Sequence, residues 1–413
     1  MVNETSRTKL PDDWHAIKLG NYAQIYRGGS PRPIQDFLTT GDVGVNWIKI
    51  GDVSTDDKFI TSTEEKIIPE GVAKSRMVYK GDLILSNSMS YGRPYILNID
   101  GCIHDGWLVI QKYEQTLDRE YLYYALGSEQ TLQQYITMAA GSSVQNLNKE
   151  KVSSVVLPCP SIPEQKRIAE VLSDMDILLT DLQKLIRKKK DIRQGAMQIL
   201  VTGKTRLEGF TSDWIKINLA KNSRLKARIG WQGLTTAEYL DEGYSYLITG
   251  TDFKDGQINW SECHYVNYDR YIQDPNIQVS NGDLLLTKDG TIGKVAYVTG
   301  LKRPATLNSG VFLVKPITDA YTAHFMFYVL ESSVFKDFLQ QLSAGSTINH
   351  LYQKDLVKFE LYVPPTKEEQ EAIAGILFDM DSEIYKLEDK LSKIQKIKQG
   401  MMEELLTGKV RLV

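Results

Sequence analysis

The chain has 413 residues, 24% of them charged, and a formal net charge of −3. This length predicts two to three domains, each large enough to bury a core. The near-neutral charge excludes a protein that coats a polyanion by bulk charge, so any nucleic-acid contact would depend on local basic faces.

The opening residues, MVNETSRTKLPDDW, lack the apolar core of a signal peptide, and no run of about 18 apolar residues follows them. The three cysteines, Cys102, Cys159 and Cys263, are far apart and have no metal-ligand spacing. These features predict a cytoplasmic protein without membrane contact, disulfide framework or metal site.

Residues 1–160 and 209–364 have the pattern of two globular domains. Short runs of branched and aromatic residues, such as DLILS in the first and DLLLT in the second, are bounded by Gly, Asp or Asn. Helical stretches follow, at REYLYYALGSEQTLQQYI and TAHFMFYVLESSVFKDFLQQL. We predict an α+β chain with two mixed α/β domains whose twisted sheets are largely antiparallel. The domains match only faintly, as in AGSSVQNL and AGSTINHL.

The segments 161–208 and 365–413 repeat each other without a gap at a constant offset of 205 residues. Apolar residues in each follow the a/d spacing of a coiled coil. The seam residues are Ile168, Leu172, Met175, Leu179, Leu182 and Ile186 in the first copy, and Ile373, Leu377, Met380, Ile384, Leu387 and Leu391 in the second. We predict two long helices that form an antiparallel intramolecular coiled coil with pseudo-twofold symmetry. Alternatively, each helix packs on its own neighbouring domain.

A second apolar row accompanies the first seam at Val171, Leu178, Leu185, Ile192 and Ile199. Its counterparts in the second copy are Ile376, Glu383, Lys390, Ile397 and Glu404. The two copies therefore differ in what covers their outer faces. Gly203 and Gly408 stand where each helix is expected to end.

The alternation of two divergent domains with two repeated helices is one part of a family resemblance. The others are the helix starts PEQKRIAEVLSDMD and EEQEAIAGILFDMD, the shared Thr-Gly-Lys endings and the AGS elements. Together they resemble the specificity (S) subunit of type I restriction-modification systems. The resemblance implies target recognition domains at 1–160 and 209–364, each reading half of a split DNA sequence, and helical spacers at 161–208 and 365–413.

The same resemblance implies the partners. They are double-stranded DNA, two methyltransferase (M) subunits docked on the helices, and a restriction/translocase (R) subunit. Because the two domains differ, we expect an asymmetric bipartite target.

DNA contacts are expected from loops rich in Arg, Lys, amides and hydroxyls, which bind phosphates and base edges. In the first domain the candidates are Arg27, Arg32, Ser86, Asn87, Tyr91, Arg93, Ser142, Ser143, Gln145, Asn146 and Lys149. In the second they are Lys226, Arg228, Gln232, Thr287, Lys288, Lys294, Ser346, Thr347, Asn349 and His350. The structural alternative is that these loops are ordinary turns.

Catalytic motifs are not found. VTGKT at 201–205 resembles the end of a phosphate-binding loop, but it ends a predicted helix and its counterpart is part of the repeat. The sequence predicts a non-catalytic subunit with no cofactor. Two alternatives remain open, a coiled-coil adaptor or scaffold with two protein-binding domains, and a self-contained nuclease or methyltransferase.

Overall fold

The structure of the protein is a computed structural model that describes residues 10–54, 57–87, 92–139, 146–230, 233–343 and 350–412. By its internal contacts the chain divides into two units. Unit 1 comprises Met1–Gln183 and Asp389–Val413, and unit 2 comprises Lys184–Glu388.

The elements of unit 1 that precede its long helix are mostly short strands. Within the described ranges they are β1 His15–Lys18, β2 Gln24–Arg27, β3 Leu38–Thr39, β4 Val45–Ile48, β5 Phe59–Ile60, β6 Glu65–Ile67, α1 Pro69–Val72, β7 Arg76–Val78, β8 Leu83–Ser86, β9 Pro94–Leu97, β10 Gly101–Ile103, β11 Trp107–Gln111, α2 Arg119–Leu126, α3 Glu129–Ala139, α4 Lys149–Ser154 and β12 Val156–Cys159. Helix α5, Ile162–Leu200, follows.

The strands of unit 1, as far as they are described, form two five-stranded sheets and one two-stranded sheet. The orders are β3-β6-β4-β10-β7, β2-β11-β8-β9-β5 and β1-β12. The pairs β4/β10 and β5/β9 are parallel and the remaining pairs antiparallel. The predicted mixed, largely antiparallel architecture is therefore confirmed in unit 1.

Unit 2 has a closely similar order of elements. In its described part they are β13 Ile215–Asn218, α6 Leu219–Asn222, β14 Ser223–Lys226, β15 Ser245–Ile248, β16 Phe253–Lys254, β17 Gln257–Ile258, β18 His264–Val266, α7 Tyr268–Ile272, β19 Gln278–Val279, β20 Leu284–Thr287, β21 Val295–Tyr297, β22 Ala305–Leu307, β23 Val311–Pro316, α8 Ala323–Glu331, α9 Ser333–Leu342, α10 Gln353–Leu356 and β24 Glu360–Val363. Helix α11, Lys367–Leu405, follows; its residues up to Glu388 belong to unit 2 and the later ones to unit 1. The described sheets have the orders β14-β23-β20-β21, β18-β15-β22-β19, β13-β24 and β16-β17, with β15/β22 parallel.

Helices α5 and α11 are each 39 residues long and begin and end at matching positions of the repeat. At the α-helical rise each spans about 58 Å. In unit 1, Asp176 of α5 pairs with Lys398 of α11. In unit 2, Arg193 Nε lies 2.8 Å from an oxygen of Asp381. Both pairings join later residues of one helix to earlier residues of the other, so the predicted antiparallel packing is confirmed.

The predicted seam is buried or half-buried along both helices. Each helix also packs on globular elements, so the second interpretation holds beside the first. Ile168 and Leu172 join the core of unit 1 with Leu405 of α11, and Ile373 and Leu377 join that of unit 2. Apolar burial of this kind is the main stabilising contribution to such packing. None of the described helices combines the length and hydropathy that crossing a bilayer requires.

Glycine ends both long helices in the left-handed region. Gly203 follows α5 with φ +67°, and Gly408 follows α11 with φ +74°. A Cβ at Gly203 would lie 3.2 Å from the Trp214 ring. Since other residues are strained at this φ, these positions require glycine.

A glycine inside α5, Gly195, predicts a measurable difference in stability. Gly195 is exposed, and a Cβ there would meet no atom within 4 Å. Gly195→Ala is expected to raise the free energy of unfolding by about 0.5–1 kcal/mol, because alanine loses less backbone entropy on folding. Gly203→Ala, the matched control, is expected to lower it by about 1–2 kcal/mol through left-handed strain. Urea unfolding curves measure both, and equal signs would contradict the assignment.

Candidate nucleic-acid interface

Three loops meet at one point in unit 1, just beyond the carboxyl end of β8. The Asn87 N–H donates to Gly106 O at 2.9 Å, and the Leu147 N–H donates to Asn87 O at 3.0 Å. The turn after β8, the turn between β10 and β11 and the end of the AGS loop are thereby joined. We call this set of backbone bonds the loop junction.

Unit 2 builds the same loop junction from different residues. The Lys288 N–H donates to Gly310 O at 2.9 Å, and the Leu351 N–H donates to Lys288 O at 2.9 Å. The faint sequence matches between the domains thus correspond to the same backbone arrangement, on which different side chains stand.

The turn that supports each junction follows a fully buried strand, β8 or β20. Gly92 and Gly293 close these turns with φ +82° and +86°. A Cβ at Gly92 would lie 2.6 Å from the Tyr135 ring, and one at Gly293 would lie 2.4 Å from Leu339. Helices α3 and α9 therefore pack directly against Gly92 and Gly293, and only glycine permits so close an approach.

In unit 1, Asp105 lies between the cations of the YRGGSPRP loop. Its Oδ1 accepts a 2.7 Å bond from the Ser30 hydroxyl, and its backbone carbonyl accepts from Arg27 Nε at 3.0 Å. The Arg27 and Arg32 guanidinium groups each come within 3.9 Å of Oδ2. The Ser30 bond outweighs burial and, with His104 and Arg27, lowers the pKa of Asp105. The carboxylate is therefore a fixed negative charge among exposed arginines.

Unit 2 places a carboxylate in a comparable position, at Asp289. Lys288 Nζ lies 3.0 Å from its Oδ2, and His350 Nδ1 contacts its Oδ1. The His350 ring stacks obliquely on Tyr352, with 4.3 Å between centroids. Two predicted contacts, Lys288 and His350, are thus brought together by a residue that was not predicted.

The described candidates fall into two groups by exposure. Nine are exposed or half-buried: Arg27, Arg32, Arg93, Asn146, Lys149, Lys226, Lys288, Lys294 and His350. Four are buried: Ser86, Asn87, Arg228 and Thr287. The remaining candidates lie outside the described residues: Tyr91, Ser142, Ser143, Gln145, Gln232, Ser346, Thr347 and Asn349.

DNA contacts were expected to be exposed hydrogen-bond donors, but four of the candidate residues are buried. Their hydrogen bonds within the protein explain why. Thr287 Oγ1 donates to Thr291 O at 2.5 Å and accepts from the Lys294 N–H, and Ser86 Oγ accepts from the Arg93 N–H. Asn87 Nδ2 donates to Asp105 O at 2.9 Å. These side chains shape the turns, so we do not propose them as DNA contacts.

Arg228 is only 3% exposed, and burial lowers the pKa of its guanidinium. Its Nε donates to Leu307 O at 2.9 Å and its Nη2 to Thr306 Oγ1 at 3.2 Å. Arg228 therefore ties the loop after β14 to strand β22, and we do not propose it as a DNA contact either.

A carboxylate of each long helix binds the globular part of its own unit. Glu164 accepts from Trp14 Nε1 at 3.1 Å and from Arg411 at 2.7 and 2.9 Å in unit 1. In unit 2, Glu369 accepts from Trp214 Nε1 at 3.3 Å and from Arg206 at 2.7 and 2.9 Å. These two carboxylates occupy the same position of the repeat.

A glutamine next to each carboxylate is fully buried and completes the attachment. Gln165 accepts from the Asp118 N–H at 2.8 Å and donates to Pro160 O at 2.9 Å. Gln370 accepts from the Thr322 N–H at 2.7 Å and donates to Pro364 O at 2.8 Å. Buried amides with satisfied bonds specify one docking geometry.

An aspartate further along each helix binds a buried tyrosine. Tyr124 OH donates to Asp176 at 2.5 Å in unit 1, and Tyr328 OH donates to Asp381 at 3.0 Å in unit 2. Burial, followed by the nearby carboxylate, raises the pKa of both phenols. The attachment between helix and globular part is thus the same in each unit, whereas the loop junctions carry different side chains.

Comparison with known proteins identifies the family. A family model described as the type I restriction modification DNA specificity domain matches residues 11–194 and again residues 205–399. The chain belongs to this family.

Relatives with curated names are type I specificity subunits. One is the MjaVIII specificity subunit of Methanocaldococcus jannaschii, 24% identical over 98% of this chain and 94% of that protein. Another is the EcoBI specificity subunit of Escherichia coli, 23% identical over 97% of this chain and 87% of that protein. Both matches extend over nearly the whole length of this chain.

Solved structures share the fold. A type I restriction-modification S subunit from M. genitalium gives a TM-score of 0.60 at 16% identity, with 98% of each chain covered. A chain from a study of assembly and conformational transition in the type I R-M system gives 0.59 at 16% identity, with 97% of this chain and 100% of that chain covered. Both confirm two mixed α/β domains with paired long helices.

Three residues at or beside the loop junctions were not predicted from the sequence: Asp105, Asp289 and Arg76. Arg76 donates from Nε to Arg27 O at 2.8 Å, and its guanidinium lies 4.7 Å from the Tyr26 ring centroid. Asp105 lies in the short segment HDGW, which has the composition of an ordinary polar turn and therefore gave little indication of a functional residue. No group of three or more His, Cys, Asp or Glu that would hold a metal occurs in the described part of the chain.

Proposed function

We propose that this chain is the DNA sequence-recognition subunit of a type I restriction-modification enzyme. The domains at 1–160 and 209–364 each read one half of an asymmetric bipartite target. The helical segments 161–208 and 365–413 set the spacing and dock methyltransferase subunits. The chain itself is non-catalytic and cytoplasmic, and acts with two methyltransferase (M) subunits and a restriction/translocase (R) subunit on double-stranded DNA.

One observation carries this proposal, the loop junction built twice with different side chains around it. In unit 1 it is surrounded by Arg27 and Arg32, whose side chains are 60% and 84% exposed. In unit 2 it carries Lys288 and His350 instead. A common frame with different cationic and hydrogen-bonding side chains fits two readers of different DNA words, because base identity is read by side chains that the frame presents.

The outer face of α5 supports the docking part of the proposal. Leu185, Ile192 and Ile199 lie seven residues apart and are each at least 41% exposed in unit 2. Exposed apolar rows of this kind are typical of surfaces that a partner covers. The corresponding α11 positions in unit 1 are Lys390, Ile397 and Glu404, so the two docking faces would differ in apolar area.

Salt-dependent DNA binding tests the proposal. The full chain, together with any methyltransferase subunits that co-purify with it, is titrated with a random-sequence duplex library, and bound duplexes are sequenced. We expect enrichment of one split sequence and an affinity that falls steeply with salt concentration as counterions are released. Salt-independent binding, or no enriched sequence, would favour the protein-binding adaptor instead.

Arg27 and Arg32 provide the matching variant. Arg27→Ala combined with Arg32→Ala is expected to reduce the slope of log K against log salt by about 1–2, since each cation removed from the DNA surface lowers counterion release by up to about 0.9. The control removes two exposed lysines of the long helices in the same unit, Lys166→Ala with Lys396→Ala. Its slope should stay at the wild-type value, and an equal reduction in both variants would contradict the placement of the interface.

A further inference from the structure

Each unit holds a carboxylate among the cations that the proposed function assigns to DNA. Asp105 is 43% exposed at its side chain and stands within 3.9 Å of two arginines. Asp289 is 36% exposed and contacts Lys288 and His350. A carboxylate at a DNA surface repels phosphates, so its presence twice at the loop junctions calls for a physical reason.

The contacts of Asp105 fix the shape of the arginine loop. The Ser30 hydroxyl bond restrains the loop between Arg27 and Arg32, while the Asp105 carbonyl holds Arg27 at Nε and Asn87 at Nδ2. With its Nε occupied, Arg27 keeps two terminal nitrogens for a ligand. An arginine so oriented loses less rotamer freedom when it binds the edge of a base.

The contacts of Asp289 perform the same task in unit 2 with other residues. Asp289 and His350 are joined by an antiparallel bridge, which connects the turn after β20 to the end of the AGS loop. Lys288 Nζ lies between the Asp289 carboxylate at 3.0 Å and His350 Nε2 at 3.5 Å. Lys288 is consequently only 12% exposed, although it lies at the surface of the junction.

We propose that Asp105 and Asp289 are positioning residues for base reading, each holding the cationic and hydrogen-bonding side chains of its loop junction so that they address base edges rather than phosphates. This inference rests on the proposed function. Their negative charge weakens attachment to phosphates of any sequence while it fixes the side chains that discriminate one sequence from another. Each carboxylate therefore lowers the affinity for DNA of any sequence and raises the discrimination between one sequence and another.

Asp105→Asn and Asp289→Asn test the inference, and each is the charge-matched control of the other. Half-site one denotes the half of the enriched sequence read by unit 1, and half-site two the half read by unit 2. Three duplexes serve as probes, the wild-type target, the target with half-site one scrambled and the target with half-site two scrambled. Affinity is measured across a salt series for each.

For Asp105→Asn we expect the preference for the intact target over the duplex with half-site one scrambled to fall about 10- to 100-fold, the range lost with one base-specific contact. Affinity for scrambled DNA should rise, with a salt slope steeper by up to about one. Discrimination at half-site two should be unchanged. Asp289→Asn should give the mirror result, with the loss at half-site two only.

A merely structural role predicts a different pattern, in which target and scrambled duplexes weaken by the same factor and the melting temperature falls. That pattern, or unchanged discrimination in both variants, would overturn the inference while leaving the proposed function standing. If wild type itself enriches no split sequence, the proposed function fails and this inference with it.

Ser30→Ala keeps the carboxylate charge and is the second variant for unit 1. It should reduce discrimination at half-site one by a smaller factor without raising affinity for scrambled DNA, and a rise in that affinity would contradict the role of the charge.

Discussion

Glu164→Ala is expected to lower the free energy of unfolding of unit 1 by about 2–4 kcal/mol. The carboxylate side chain is 3% exposed and receives bonds from Arg411 and Trp14. Removing it leaves the indole N–H without its partner and Arg411 paired with Asp13 alone, at 2.7 and 2.8 Å. Breaking a buried ion pair from one side typically costs about 3–5 kcal/mol. The expected range is lower because the Arg411 side chain is 25% exposed and retains part of its hydration.

The pKa of Glu164 determines how the stability that this residue contributes depends on pH. The Arg411 bonds, with a smaller contribution from Trp14, hold the pKa of Glu164 below its ordinary value of 4.5 against the effect of burial. A lowered folded-state pKa contributes stability that is present above the unfolded value and lost as pH falls through the folded value. The stability difference between wild type and Glu164→Gln should thus be largest near neutral pH and shrink below about pH 4.5.

Urea unfolding at a series of pH values measures both effects. The control is Glu403→Ala in the same unit, which removes the ion pair between Glu403 of α11 and Lys409, a residue that follows this helix. Those side chains are 67% and 43% exposed, so the change should stay within about 0.5 kcal/mol. Equal losses for Glu164→Ala and Glu403→Ala would show that burial of the helix carboxylate does not determine its contribution.

Replacing the second domain by a copy of the first is expected to convert the DNA target. Residues 14–160 inserted in place of 214–365 begin at the equivalent tryptophan and end just before the equivalent helix. The inserted copy brings Trp14 and Tyr124 to face Glu369 and Asp381, which already accept from Trp214 and Tyr328. Because the attachment is the same in both units, we expect the exchanged domain to dock.

The exchange protein is expected to select a target with the sequence of half-site one at both ends. The sequence of half-site two should be absent from the duplexes that it enriches. The reciprocal exchange, with 214–365 in place of 14–160, is the control and should give the word of half-site two at both ends. A folded exchange protein that still selects the original asymmetric sequence would refute the assignment of one word to each domain.

The long helices could be predicted from sequence because their signal is periodic and local. Leu182 and Ile186 follow the heptad and are buried, and Gly203 marks the end of α5 as expected. Glu164 and Glu369 stand at matching positions of the repeat, and the structure gives each of them a tryptophan and an arginine as partners. Local pattern and gapless repetition thus identify elements and equivalences without any knowledge of tertiary contacts.

The organisation of the loops could not be predicted in the same way. Ser30 and Asp105 are 75 residues apart, and Glu164 and Arg411 are 247 apart. Such contacts leave no period in the sequence. Ser86 and Thr287 show a further difficulty, since a hydroxyl in a polar turn serves equally well to bond its own backbone as to bind DNA. Because DNA contacts are predicted from basic and polar residues, an acidic residue such as Asp105 is also not selected from the sequence.

The division of the chain has a consequence for the order of folding during synthesis. Unit 2 is one continuous stretch, Lys184–Glu388, whereas unit 1 also needs Asp389–Val413. Domains generally fold as units during synthesis. We therefore expect the second domain in the sequence to mature first on the ribosome, while the first domain waits for the segment that brings Arg411 to Glu164. The earliest part of the chain to be made would be the last to be completed.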